Sequence, residues 1–248
     1  MAVRRARPED DQESYFVSMT DLMIGLLFIF IIMLMSFAIN YREAEQRHQQ
    51  TNERLTDNQD TVEYILGELE QSLENQGIEV SIDPDKGVLR LPESILFESG
   101  QAKLTKEGKQ AVGALAIALE PFVTRFASVV GSGEGDSEES ASDADYHGRL
   151  EAVLIEGHTD SEPVWGGEFR SNWDLSTARA IATFTALEQA AAIIGQAVND
   201  RSEKLVGVSG YGEHRPVASN DHAAGRRANR RIDLRFLMAA PSAAKADG

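Results

Sequence analysis

The chain has 248 residues and a formal charge of −16, so its bulk surface is acidic and nucleic acid is a poor candidate partner. It contains no cysteine, which excludes disulfide staples and thiolate-held metals. The length suits one or two domains.

Residues 1–14 read as a short polar tail. Residues 15–40, "YFVSMTDLMIGLLFIFIIMLMSFAIN", read as a transmembrane helix. The charge-free run 22–39 covers about 27 Å at about 1.5 Å per residue, close to the hydrocarbon thickness of a bilayer. Tyr15 and Tyr41 flank it as interfacial aromatics would. The small-x-small "SFA" at 36–38 also fits a signal-peptide cleavage site, but the apolar run exceeds a usual signal core. Arg4, Arg5 and Arg7 precede the span and Arg42, Arg47 and Arg54 follow it. The positive-inside rule therefore gives a near tie, and orientation rests on what the C-terminal part does.

One carboxylate, Asp21, sits inside the span. An ionised Asp at a helix centre costs about 2.5–3.5 kcal/mol on insertion scales, and less off-centre. Its plain reading is an interfacial acid near a helix start, favoured by the helix dipole. Its functional reading is an ion carrier. At helical spacing Asp21 shares a stripe with Gly25, Phe28 and Ile32, and the small residue one turn away admits a partner helix.

Residues 41–77 are expected to be a helical linker. Leu55, Val62, Leu66, Leu69 and Leu73 recur at three-, four- and seven-residue steps, giving a narrow apolar seam. The seam suits pairing with a second copy or packing on the chain's own domain. Gly77 is the expected C-cap.

A compact domain is expected over 78–238, with residues 239–248 as a disordered tail. "IEVSIDPDKGVLRLPESILF" reads as a hairpin, and "TKEGKQAVGALAIALEPFVTRFASVV" as a helix. "EAVLIEGHTD" reads as a buried strand. "WDLSTARAIATFTALEQAAAIIGQAV" reads as a helix capped by Ser171 or Asn172. "KLVGVSGYG" and "RIDLRFLM" read as strands around a short helix or turn in "NDHAAGRRANRR". Strands alternating with helices give an α+β fold, a sheet covered on one face by helices. Residues 131–148 are acidic and rich in Ser and Gly, an expected surface insertion. Their spacing does not match a calcium loop, and no metal or cofactor is expected.

"EGHTD" (156–160), "NWDLSTARA" (172–180) and "GYGEHRPVASNDHAAGRRANRRIDL" (210–234) resemble the OmpA-like peptidoglycan-binding domain. The resemblance implies a mixed-sheet αβ sandwich. One span with an early Asp, a linker and this domain is similar to the MotB plan. The span "SMTDLMIGLLFIFIIMLMSFA" resembles more closely the ZorB family, the MotB-like membrane subunits of the Zorya antiphage defence system. The flagellar stator is the alternative, and a passive wall tether or a secreted wall-binding module a further one.

The resemblance implies that Asp21 carries the coupling ion, with Ser18 and Thr20 as optional co-ligands. A bare carboxylate with few neighbouring oxygens favours H+ over Na+. It implies a MotA- or ZorA-like polytopic subunit ringing a homodimer of this chain. It also implies an inner-membrane location with a cytoplasmic N-terminus and a periplasmic domain. For the wall, Asp160 would pair with a peptide ammonium and Arg179 would grip a carboxylate. The N–H groups at the start of that helix would add dipole attraction. Thr159, Asn172 and Leu175 would line the cleft, with Arg230 and Arg231 close by. His158, Asp160 and Ser161 do not make a hydrolase: neighbours on a strand alternate faces, and no Gly-x-Ser-x-Gly elbow occurs. His158 is expected to make structural hydrogen bonds beside the cleft, and Arg227 and Arg231 to pair with carboxylates.

Overall fold

The computed structural model describes residues 9–129, 149–164 and 167–240. The expected acidic insertion and the last eight residues of the expected tail lie outside them, as do residues 1–8. The chain divides into two units, residues 1–53 and 54–248.

Helix α1, Glu9–Glu74, runs from the first unit into the second. It already includes residues 9–14, expected as tail; no Gly or Pro falls between residues 9 and 24 to interrupt it. In the first unit the apolar side chains of the span from Met19 onward are exposed, Leu22 and Ile29 each to 69%. This helix is long and apolar enough to cross a membrane.

In the second unit the later turns of α1 bury Val62, Ile65, Leu66, Leu69 and Leu73 in the core of the same chain. The seam beyond Leu55 thus meets its own domain. Each such burial contributes about 1.5–3 kcal/mol. The helix closes in a turn where Gly77, at φ 74°, donates to Glu74 O at 2.8 Å.

The hairpin pairs β1 (Ser81–Asp83) with β2 (Val88–Pro92) around a 3-10 turn, Pro84–Lys86. A short helix follows, α2 (Glu93–Leu96), where a continuing strand was expected; Pro92 cannot donate to a ladder and sets up the helix start. Next come α3 (Lys106–Phe126), capped by Thr105, and the two-residue strand β3 (Ser128–Val129), which the sequence assigns to the helix. Strand β4 is Leu150–His158. The helix expected to be continuous after it divides at Ala191 into α4 (Asn172–Ala190) and α5 (Ala192–Gln196). Its last residues form β5 (Ala197–Val198), which pairs with β3. Strand β6 (Val206–Gly210), helix α6 (Ala223–Asn229) and strand β7 (Arg231–Met238) complete the unit.

The main sheet has the order β1-β2-β7-β4-β6 and is mixed: β4 and β6 are parallel and the rest antiparallel. Its register sorts the side chains. Leu89, Leu234, Ile155 and Val208 form one row and Leu91, Ile232, Gly157 and Gly210 the next, facing the helices. The alternate row is Arg90, Asp233, Glu156 and Ser209. One face therefore joins the apolar core and the other carries charge. Helix α4 lies hard against the sheet. A Cβ on Gly157 would come within 2.0 Å of Ser176 O, and one on Gly210 within 2.1 Å of Thr177 Oγ1.

Candidate functional site

Strand β4 delivers Thr159 and Asp160 just past its end, and α4 delivers Asn172 from its first turn. Ser171 caps that helix, its Oγ accepting from Asp174 N at 3.2 Å. Thr159 N donates to Gly212 O at 2.9 Å and its hydroxyl donates to Asp160 O. The Asn172 amide reaches Asp160 O at 3.3 Å, Glu162 O at 3.1 Å and Glu213 Oε2 at 2.6 Å. One asparagine thus ties the strand end, the following loop and the turn after β6 together. Leu175 is buried one turn along the same helix.

The charged groups form an alternating chain. Asp160 Oδ1 accepts from Glu162 N at 3.0 Å, and its Oδ2 accepts from Arg230 Nη1 at 2.5 Å. Arg230 Nε lies 2.6 Å from Glu93 Oε2. Glu93 Oε1 in turn accepts from Arg179 Nη2. The order is Asp160, Arg230, Glu93, Arg179, two of each sign. Burial alone would lower the pKa of Arg230, but Asp160 and Glu93 outweigh it and hold the group above the usual arginine value.

The two arginines differ in access. Arg230 keeps 33% of its side chain exposed, whereas Arg179 keeps 2%. Arg179 spends its donors inward: Nε reaches Gln101 O at 2.8 Å, and its guanidinium lies over the Phe97 ring. Burial pulls its pKa down and Glu93 opposes that.

Of the residues anticipated for a cleft, Asp160, Thr159, Asn172 and Arg230 come together, and Arg179 joins them only through Glu93. Sequence reasoning missed Glu93, which sits one residue after Pro92 and reads as an ordinary first-turn acid. It also missed Glu213.

His158 departs from expectation. Its ring is 1% exposed, and neither ring nitrogen has a hydrogen-bond partner among the described residues. Nε2 is 3.7 Å from Glu156 Oε2 and 3.6 Å from Asp233 Oδ2, and the ring stacks on Tyr211. The reason is register: His158 pairs across to Arg231, on the charged face of the sheet. There Arg235 grips both oxygens of Glu156 at 2.9 Å, and Arg231 Nε reaches both of Asp233. Burial opposes ionisation of Glu156, but His158 and Arg235 prevail and hold its carboxyl at about 2. Glu156, His158 and Asp233 could close on a cation. To do so they would have to give up the bidentate pair of Arg235 with Glu156 and the bifurcated bond of Arg231 to Asp233, so the group is better read as an ionic lattice supporting the sheet. The expected pairing of Arg231 with a carboxylate is present. Arg227 makes no ion pair among the described residues.

Residues 139–230 match the OmpA family. Motility protein B of Bacillus subtilis (strain 168) is 27% identical over 184 residues, 72% of this chain and 57% of that protein. The chain is thus similar to MotB and, over residues 139–230, to the OmpA family. The chain spans about half the length of the curated relatives it matches. Among solved structures, the cell wall anchor of the T6SS from Pseudomonas aeruginosa is similar over 70% of this chain and 96% of that one, at 23% identity and a TM-score of 0.48. A putative MotB-like protein from Desulfovibrio vulgaris is similar over 81% and 95%, at 18% identity and a TM-score of 0.47. Asp160, Arg179 and Arg230 fall inside the OmpA match and Glu93 falls outside it.

Proposed function

We propose that the chain is the wall-anchored subunit of an ion-driven inner-membrane motor, with its OmpA domain in the periplasm holding peptidoglycan. The carrying observation is the Asp160–Arg230 pair inside the OmpA match, in a chain whose apolar span, residues 15–40, bears a single carboxylate, Asp21. A peptide centre of the wall presents an ammonium and a carboxylate together. Asp160 offers a site for the first, and Arg230, backed by Glu93 and Arg179, a site for the second.

At the other end, a cation entering from outside neutralises Asp21, and its inward release restores the charge. Each change alters how the helix sits in a surrounding MotA- or ZorA-like subunit around two copies of this chain. A proton crossing about 100 mV supplies about 2.3 kcal/mol, enough to bias a step. The span favours a role in Zorya antiphage defence. The likeness to Motility protein B favours a flagellar stator instead. The test is Asp21→Asn in the intact operon. Loss of function with an assembled complex and undiminished wall binding supports the motor. Retained function leaves only a tether.

A further inference from the structure

A second site lies behind the cleft. Consecutive residues divide between the two: Glu93 and Arg230 face the Asp160 cluster, while Ser94 and Arg231 line a separate cavity of about 490 Å³. Its volume falls in the range of small-ligand pockets, about 300–1,000 Å³.

The cavity is basic in a chain of charge −16. Arg90, Arg227 and Arg231 line it, against one acid, Glu79. Arg231 is consumed by Asp233. The other two guanidinium groups retain donors. Arg90 Nη2 donates to Asp83 Oδ2 at 2.7 Å, but its Nε is buried with no hydrogen-bond acceptor, 3.8 Å from Asp233 Oδ1. A buried donor left unmatched costs about 1–3 kcal/mol. Arg227 is exposed and unpaired among the described residues, and so are the hydroxyls of Ser81 and Ser94, which also line the cavity.

We propose that this cavity binds an oxyanion, a carboxylate or a phosphate carried on a small neutral body. Arg227 is the accessible cation and the two serine hydroxyls supply further donors, while Arg90, its Nε shielded from the cavity, adds positive charge behind them. The guanidinium of Arg227 can only donate and the two serine hydroxyls can donate beside it, which favours an anion over a cation. Planar guanidinium groups suit both oxyanions. Glu79 at the rim limits affinity by like-charge repulsion.

The probes are inorganic phosphate and acetate, each titrated against chloride at constant ionic strength. The readout is thermal unfolding of the full chain in detergent, followed by tryptophan fluorescence. A ligand of the folded state raises the midpoint as its concentration passes Kd. The midpoint should rise with at least one probe, and which one responds identifies the carboxylate or the phosphate source. Arg227→Gln, at an exposed position, should abolish the rise. Glu79→Gln should strengthen binding roughly threefold. Arg149→Gln, paired with Asp200 and outside the cavity lining, should leave it unchanged. No rise with either probe overturns the site, and so does a rise that survives in Arg227→Gln.

Discussion

Arg230 and Asp160 hold each other at 2.5 Å, and the zwitterionic wall ligand proposed above would have to open this pair. Insertion of an ammonium beside Asp160 and a carboxylate beside Arg230 leaves every charge still paired, because Glu93 keeps Arg230 and Arg179 in place. The accessible cation of the cleft is therefore Arg230. Replacing it with Ala should weaken co-sedimentation with purified sacculi by about tenfold or more, the cost of truncating one side of a charge pair at an interface. The thermal midpoint should fall as well, because Asp160 and Glu93, each 8% exposed, lose a partner, but by less than for a fully buried pair, since water reaches a side chain that is one-third exposed. Unchanged co-sedimentation would remove Arg230 from the site.

Arg179 should act through stability first. It is 2% exposed and bonded to Glu93 and Gln101. Arg179→Ala leaves Glu93 buried without its inner partner, and breaking such a pair costs about 3–5 kcal/mol. Denaturant unfolding of the variant should show that loss directly. A stable Arg179→Ala protein that fails to bind wall would return the ligand contact to Arg179.

The two arginines mark the limit of what the sequence discloses. Asp160, Asn172 and Arg230 were legible because they lie in the three blocks, 156–160, 172–180 and 210–234, that resemble an OmpA-like domain. Glu93 was not, since a four-residue helix from a distant stretch of chain carries it and no local pattern marks an acid as an inner counter-ion. The leucine seam of α1 was legible as a helix, but a 3.6-residue period does not say whether the surface it covers belongs to a partner or to the same chain. The division at Ala191 had no Pro to announce it. It follows from the pairing of β5 with β3, a contact between segments far apart in sequence.

Gly157 sets how closely α4 approaches β4, and so where Asn172 meets Asp160. A methyl group there would stand 2.0 Å from Ser176 O and 2.7 Å from Ser176 C. Backbone cannot yield as a flexible side chain would, so the helix must move. Gly157→Ala should cost about 1–3 kcal/mol, the usual range for overpacking, and should also weaken wall binding. Gly67→Ala, inside α1 with nothing within 4 Å, is the matched control: it should leave binding unchanged in sacculus assays and raise stability by about 0.5–1 kcal/mol in denaturant melts.

The charged face of the sheet makes stability depend on acid. The carboxyl of Glu156 titrates at about 2 in the folded chain against 4.5 ordinarily, so the unfolded chain takes up its proton first as pH falls. Its contribution is complete above pH 4.5 and is lost as pH falls toward 2, and at full strength it is roughly 3 kcal/mol. Asp233 works against this: burial raises its pKa, so acid relieves a cost there. Wild type alone therefore reports a balance of the two, and the variant Glu156→Gln isolates the first. Near neutral pH Glu156→Gln should be less stable than wild type by roughly 3 kcal/mol, and that deficit should shrink as pH falls from 4.5 toward 2. Urea unfolding at several pH values across that interval measures it. A deficit that stays constant with pH would mean that Glu156 supports the sheet by packing and not by its charge.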